Sequence, residues 1–200
     1  MKFYNESIIW EGHYEAFKGI RKLTRLNVSL FFFNSIQFIL FQRRVPMNIR
    51  NSAKAIIIQD KQLLAIKKLD KDGYYFILPG GGQEHGETLH QALKRECIEE
   101  INAVVEIGNL LFIREYIGKN HEHFEFDSEL HQIEYMFSCE IKSSNKEIGN
   151  GVVPDDGQIS VERLAISDLM NYRLYPQAIR DKIIAYTSRK EFPVYLGDIN

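Results

Sequence analysis

The chain has 200 residues, close to the length of one domain, and a chain of this size buries roughly 70% of its unfolded surface. Hydrophobic content of 44% and charged content of 26% lie near globular averages, which excludes a disordered chain, a collagen-like chain and a multi-span membrane protein. Lys+Arg 25 against Asp+Glu 27 leaves a net charge of −2, so no global basic field gathers nucleic acid. Two cysteines, Cys97 and Cys139, are too few for a disulfide framework or a Cys-rich zinc site. A reducing cytoplasm is the expected compartment.

The charge is unevenly spread. Residues 1–46 carry seven bases and three acids, net +4, which leaves 18 bases and 24 acids, net −6, for residues 47–200. Seven of the 13 Phe and the single Trp10 also fall in residues 1–46. Within them Ser29–Phe41 has nine apolar residues of 13, shorter than the ~20 a membrane-spanning helix needs. It also starts too far along the chain, behind mixed charges, for an ordinary signal peptide. Three readings of 1–46 stand side by side: an added helix packed on the domain, an interfacial or partner-binding arm, or a passenger before a natural start at Met47.

From Asn51 the pattern is α/β. Ala53–Ile58 and Leu63–Ile66 flank Gln59-Asp60-Lys61-Gln62 as a hairpin. Tyr74–Leu78 is a third strand, stopped by Pro79 and three glycines. Glu87–Ile101 reads as a helix, because Leu89, Leu93, Cys97 and Ile101 recur every four residues with Ala92 beside them. Strands follow at Leu110–Ile117 and at Gln132–Ile141, where Ile133, Tyr135, Phe137, Cys139 and Ile141 alternate with Glu134, Met136, Ser138 and Glu140. Ile159–Ile166 is another strand. Pro176 opens a final helix with Ile179, Ile183 and Tyr186 on one face.

The chemistry lies between Pro79 and Ala103. Glu96, Glu99 and Glu100 are spaced i, i+3, i+4, so their carboxylates share one helix face. Like charges at that spacing cost a few tenths of a kcal/mol per pair, and a cation is expected among them. Oxygen donors suit Mg²⁺ or Mn²⁺ better than zinc. The glycines Gly80, Gly81 and Gly82 let the backbone turn sharply and approach a ligand, so a main-chain carbonyl can join the metal shell.

This constellation resembles the Nudix box of the MutT-like nucleotide hydrolases, G-x5-E-x7-R-E-U-x-E-E-x-G-U with U a bulky aliphatic residue. Gly81, Glu87, Arg95, Glu96, Glu99 and Glu100 fall in register. Cys97 takes the first aliphatic place, Asn102 replaces the last glycine and Ala103 takes the last aliphatic place. The resemblance implies a mixed β-sheet between helices over residues 47–200, preceded by an N-terminal extension. It implies divalent metal, Mg²⁺ with Mn²⁺ as an alternative, held by Glu96, Glu99, Glu100 and the carbonyl of Gly80. Glu87 and Arg95 would form a structural ion pair. Water would attack phosphorus in a nucleoside diphosphate derivative, with a carboxylate taking the proton. The catalytic candidates are Glu96, Glu99 and a loop acid, Asp156 first and Glu129 behind it.

The substrate is less sharply marked. Lys119, Asn120 and His121 stand where family subgroups carry a distinguishing proline or tyrosine. Lys67 and Lys68 are candidate phosphate contacts, weighed against a solvated strand end. Phe76 or Tyr75 is a candidate to stack on a base, weighed against core packing. His121, His123 and His131 lack ligand-like spacing and read as solvent-facing. His85 sits in the variable loop, and Cys97 reads as a buried, inert thiol. The leading substrate is a nucleoside triphosphate, an oxidised one such as 8-oxo-dGTP included. ADP-ribose or a nucleotide sugar follows, and a nucleotide sensor without turnover is the rival. No nucleic-acid partner and no membrane span are expected, and a homodimer is compatible with the sequence.

Overall fold

The computed structural model describes residues 49–122, 124–142 and 148–200. The 1–46 segment, the Met47 boundary and His123 lie outside the described residues. The sheet starts from the hairpin. β1 (Arg50–Gln59) and β2 (Gln62–Asp70) turn through Asp60 and Lys61, whose φ of 50° and 59° supply the two left-handed residues that match the twist of paired strands.

Only Ile58↔Leu63 and Gln59↔Gln62 join these two strands. Beyond them β1 separates from β2 and pairs in parallel with β5 (His131–Ile141), from Arg50↔Gln132 to Ile57↔Cys139. Separation leaves the other edge of β1 open, and the glycine loop fills it. Ala55 N donates to Pro79 O (2.8 Å), Ala53 N to Gly81 O (2.9 Å), and Gln83 N to Asn51 O (3.0 Å). An edge that would otherwise be unpaired thereby becomes the bed of the loop.

β3 (Gly73–Ile77) continues antiparallel from β2, and β6 (Ser160–Ala165) pairs on the opposite side of β2. β4 (Val105–Ile117) is antiparallel to β5 and starts five residues before the expected Leu110, with irregular register between Ile107 and Phe112. Two short parallel additions, β7 (Leu174–Tyr175) on β3 and β8 (Tyr195–Asp198) on β4, escape the sequence because neither is long enough to show alternation. The path is β7-β3-β2-β1-β5-β4-β8, with β6 beside β2.

Helix α1 (Leu89–Ile101) covers one face, where Ala92, Leu93, Cys97 and Ile101 are fully buried. Its stripe packs on Ala53, Ala55 and Ile57 of β1 and on Phe137 and Cys139 of β5. The other face carries Ile56, Phe112 and Met136, against Leu169 of the 3-10 turn Ile166–Asn171 and Ile179 and Ile183 of α3 (Ile179–Thr187). The result is a mixed sheet between helices. Pro176 precedes α3 by three residues, in a cis peptide with Tyr175, instead of opening its first turn. A one-turn helix, α2 (Phe124–Asp127), lies between β4 and β5. No helix among the described residues is long and apolar enough to cross a membrane.

The ends of α1 are set locally. Thr88 Oγ1 accepts from Gln91 N (3.2 Å) while Gln91 Oε1 accepts from Thr88 N (2.8 Å), a reciprocal capping box. The helix therefore begins at Leu89, two residues later than the apolar period suggests, and leaves Glu87 in the loop. Asn102 ends it at φ 52°, ψ 33°, the left-handed conformation that the family pattern gives to glycine. Asn102→Gly should leave stability within about 0.5 kcal/mol of the parent, whereas β-branched Asn102→Val should cost about 1–2 kcal/mol. Urea unfolding checks this, and equal effects of the two variants would contradict the assignment.

Candidate active site

Two glycines let the loop and the helix touch. Gly80 has φ +117°, and a Cβ there would collide with the Ala53 carbonyl. A Cβ on Gly81 would lie 2.5 Å from Glu96 Oε1, so the carboxylate rests directly on the loop backbone. Gly80 N donates to Glu100 Oε2 at 2.7 Å, and Ser52 Oγ donates to Gly81 O at 3.0 Å. Loop, strand β1 and helix α1 are thus one hydrogen-bonded unit.

Arg95 ties the rest together. Its Nε and Nη2 donate to the two oxygens of Glu87 at 2.9 and 3.0 Å, a bidentate fork. Nη2 also reaches Gly82 O at 3.0 Å, and Nη1 donates to Glu96 Oε1 at 2.9 Å and Glu99 Oε2 at 3.1 Å. The hydrogen bonds from Arg95 hold the Glu87 carboxyl below its usual range. The guanidinium in turn is kept charged by the carboxylates around it, Glu87 foremost. Repulsion among acids on one helix face is relieved by a cation from the same helix.

Glu100 differs from its neighbours, being only 4% exposed. Burial pushes its pKa up to about 7, against the opposing pull of the Lys54 charge and the Gly80 amide. Lys54 was not anticipated from the sequence. It interrupts an apolar strand, and its Nζ donates to Gly80 O, the carbonyl expected to join a metal shell. A lysine flanked by alanines at a half-buried strand position was the available signal.

The two neighbouring loop acids are placed differently. Asp156 is exposed, whereas Asp155 is half-buried, pairs with Lys68 Nζ, and contributes to the electrostatic environment of Glu100. Its loop is fastened to the end of α1: Gly151 N donates to Glu100 O (3.0 Å), Val153 N to Glu99 O (3.1 Å), and Gln158 Nε2 to Glu100 O (2.8 Å). These bonds satisfy helix carbonyls that would otherwise lack partners and bring Asp155 toward the carboxylates. Glu129 is exposed on the turn after α2.

The candidate substrate contacts separate. Lys68 belongs to the Asp155 pair, while Lys67 lies over the Tyr74 ring and 3.6 Å from Glu162. Phe76 is partly buried against the core and meets the Tyr172 ring in a T-shaped contact, with centroids 5.7 Å apart. Tyr75 lines a cavity of about 390 Å³ with Arg114, Tyr116, Gln132 and Tyr175. A smaller space of about 100 Å³ between Lys54, Glu134, Arg114 and Tyr175 adjoins it. A larger cavity, about 620 Å³, lies at the hairpin end of β1 between Ile58, Lys61, Tyr186 and Arg189 and has no acid in its lining.

His121 is not free in solvent: its Nε2 meets Asp198 Oδ1 at 2.6 Å and its ring stacks on Tyr116. His131 Nε2 is buried without a hydrogen bond, 3.8 Å from Glu115. His85 is exposed, and burial raises the Cys97 thiol pKa well above its ordinary value.

Among the described residues no three His, Cys, Asp or Glu groups already converge as a ligand cluster. The donor chemistry nevertheless fits Mg²⁺, which takes one or two carboxylates and completes its shell with water and substrate phosphate. Glu96, Glu99, Glu100 and the Gly80 carbonyl are all oxygen donors, and each of Glu96, Glu99 and Gly80 O already attracts a cationic group.

The Glu100 environment has a consequence for stability. Its folded pKa of about 7 exceeds the ordinary 4.5, so the folded state holds the proton more tightly. As pH rises from 4.5 to 7 the unfolded chain ionises first and folding loses on the order of 3 kcal/mol. Glu100→Gln removes this loss. In chelator-treated protein, urea unfolding should show the variant gaining about 2–3 kcal/mol on the parent between pH 5 and pH 7.5. A pH-independent difference would contradict it.

Comparison with known proteins places this geometry. The NUDIX domain family matches residues 48–184, more than half of the chain. Comparison with curated proteins finds no match. A NUDIX hydrolase from Nitrosomonas europaea superposes with TM-score 0.57 at 19% identity, covering 74% of this chain and 94% of that one. An ADP-ribose pyrophosphatase from Streptococcus suis gives TM-score 0.52 at 19% identity, covering 76% and 100%. A MutT NUDIX hydrolase from Burkholderia pseudomallei gives 0.52 at 21% identity, covering 68% and 97%. These structural likenesses bear on the fold, and the family match spans the loop, the helix and the sheet that carries them. The chain belongs to the Nudix family of pyrophosphohydrolases.

Proposed function

We propose that this chain hydrolyses the diphosphate linkage of a nucleoside diphosphate derivative, with Mg²⁺ as the preferred cofactor and Mn²⁺ as a substitute. The observation that carries the reading is the placement of Glu96, Glu99 and Glu100, from adjacent positions of α1, over a loop that bends at Gly80 and touches Glu96 at Gly81. Glu96, Glu99, Glu100 and Gly80 O would hold the metal, which supplies charge neutralisation at the phosphoryl oxygens and a more acidic water. Arg95 and Glu87 fix the loop to the helix. Lys54, half-buried at Gly80 O, offers a point charge to a diphosphate oxygen. Asp155, in place of Asp156, takes the role of loop acid that receives the proton of water as it attacks phosphorus.

The first candidate substrate is a nucleoside triphosphate, with oxidised forms such as 8-oxo-dGTP included, and ADP-ribose or a nucleotide sugar is second. An ADP-ribose pyrophosphatase and a MutT NUDIX hydrolase are both similar in fold, and the element the two candidates share, a diphosphate joined to a nucleoside, is the substrate class proposed. A sensor without turnover would not need the complete carboxylate set.

Turnover of a nucleotide panel with and without Mg²⁺ tests the reading. Activity should require the metal, and Glu99→Gln or Glu100→Gln should lower kcat by on the order of 10²-fold or more. Asp155→Asn should lower kcat by on the order of 10²-fold, with Asp156→Asn close to the parent. Parent-level turnover in the Glu99 and Glu100 variants would sink the metal assignment. A larger effect at Asp156 would restore that residue as the loop acid.

A further inference from the structure

The cavity of about 620 Å³ at the hairpin end of β1 has no part in the hydrolysis proposed above. The glycine loop lies along Asn51, Ala53 and Ala55, whereas the cavity begins further along the strand, at Ile58. None of its lining residues belongs to the loop, to α1 or to the space around Lys54. Its apolar wall is Ile58, Ile166 and Tyr186, which pack against the core cluster of Ile56 and Phe112 and stay only partly buried. Three pieces of chain meet there. Ile166 N, after β6, donates to Lys61 O of the hairpin at 2.9 Å, while Tyr186 and Arg189 come from the end of α3 and the turn that follows it.

The two cations of the lining, Lys61 and Arg189, both have left-handed backbones, with φ of 59° and 54°. Each stands where backbone sterics favour glycine. Lys61 is the second central residue of the two-residue hairpin turn, the place of Gly in Asn-Gly and Asp-Gly turns. Arg189 follows Ser188, the C-cap of α3. Lys190 N donates to Ala185 O at 3.0 Å and Arg189 N to Tyr186 O at 3.1 Å, the two bonds of a Schellman motif, whose left-handed residue is usually Gly. Four non-glycine residues have positive φ among those described, Asp60, Lys61, Asn102 and Arg189, and two of them bring a cation to one cavity. A Cβ at such a position carries strain, and strain kept beside a cavity points to a function. Neither the Lys61 nor the Arg189 side chain has a hydrogen bond or ion pair with a described residue, so the fold does not use their charges.

The lining indicates what fits. No acid among the described residues lines the cavity, and Asp60 and Asp168, adjacent in sequence to Lys61 and Ser167, lie outside it. Two positive charges without a negative one suit a dianion better than a monoanion. A phosphate monoester carries about −1.5 to −2 at neutral pH. A guanidinium pairs with phosphate through two parallel bonds, and an ammonium adds a point charge. Ser167 adds a hydroxyl. The two isoleucines and the Tyr186 ring suit an apolar or flat body carried by that phosphate. A volume of about 620 Å³ lies within the range that accommodates small ligands.

We propose that this cavity is a second binding site, for a soluble organic phosphate monoester. Lys61 and Arg189 hold the phosphate, and the body of the ligand lies against Ile58, Ile166 and Tyr186. The ligand thereby bridges the hairpin turn and the end of α3. This site is independent of the proposed hydrolysis and stands or falls without it.

The test is a ¹H–¹⁵N NMR titration of the 200-residue chain, without added metal, with phenyl phosphate, inorganic phosphate and phenol. Phenyl phosphate should move the amide resonances of Lys61, Ser167 and Arg189 together and leave those of Gly80, Gly81 and Gly82 in place. It should bind about tenfold more tightly than inorganic phosphate or phenol, each of which meets only half of the lining. Lys61→Gly and Arg189→Gly each remove one charge and relieve the left-handed backbone. Each should therefore unfold at or above the parent's temperature while binding phenyl phosphate about tenfold more weakly, a combination that general damage to the fold does not produce. Lys61→Gln, which keeps the parent's side-chain bulk, serves if the glycine variants do not fold. Absence of phenyl phosphate binding by the parent, equal binding by parent and variants, or shifts centred on the glycine loop would overturn the site. Equal affinity for inorganic phosphate would overturn the monoester as its ligand.

Discussion

The hydrogen bond from the Gly80 amide to the buried carboxylate of Glu100 is the contact on which the site depends. It joins the most buried acid of the helix to the glycine loop. The loop's remaining backbone groups are met by β1, which is available only because β1 parts from β2 two residue pairs after the turn. Strand separation, glycine backbone and helix carboxylate are therefore three parts of one arrangement. Disturbing any of them moves the oxygen donors relative to one another.

Charge is balanced within the same unit. Arg95 sits among Glu87, Glu96 and Glu99, Lys54 reaches Gly80 O, and Lys68 pairs with Asp155. Arg95 lies where the helix acids would otherwise repel at their spacing. Arg95 thereby holds Glu96 and Glu99 to one guanidinium group, a preorganisation on which the proposed hydrolysis would draw. Glu100, desolvated beneath the loop, is the exception that retains its proton until near neutrality.

The helix and its acids were legible because their information is local. A four-residue apolar recurrence and fixed spacing from Gly81 to Glu100 specify both a face and a motif without reference to the rest of the chain. The hairpin was legible for the same reason. Less visible were features set by long-range pairing. Lys54 and Arg114 look like ordinary charges on strands until β1, β4 and β5 are aligned, and only then does each become a half-buried or buried group with a defined partner. Asp155 and Asp156 are adjacent in sequence, and the choice between them depends on how residues 151–158 fasten to the carbonyls of Glu99 and Glu100. Phe76 and Tyr75 are likewise neighbours that strand alternation separates, one ring lying against the core and the other lining the cavity.

The helix carboxylates, the glycine loop and Lys54 thus lie on one side of a narrow space whose lining also includes Arg114 and Tyr175. The proposed hydrolysis places the diphosphate of the substrate at the glycine loop. The central claim is that water attacks phosphorus in such a molecule. ³¹P NMR of the products formed in ¹⁸O-labelled water tests this most directly. The account predicts one product phosphate bearing a single ¹⁸O, seen as an isotope-shifted resonance. Products without ¹⁸O on phosphorus, or with the label on the sugar carbon, would contradict it.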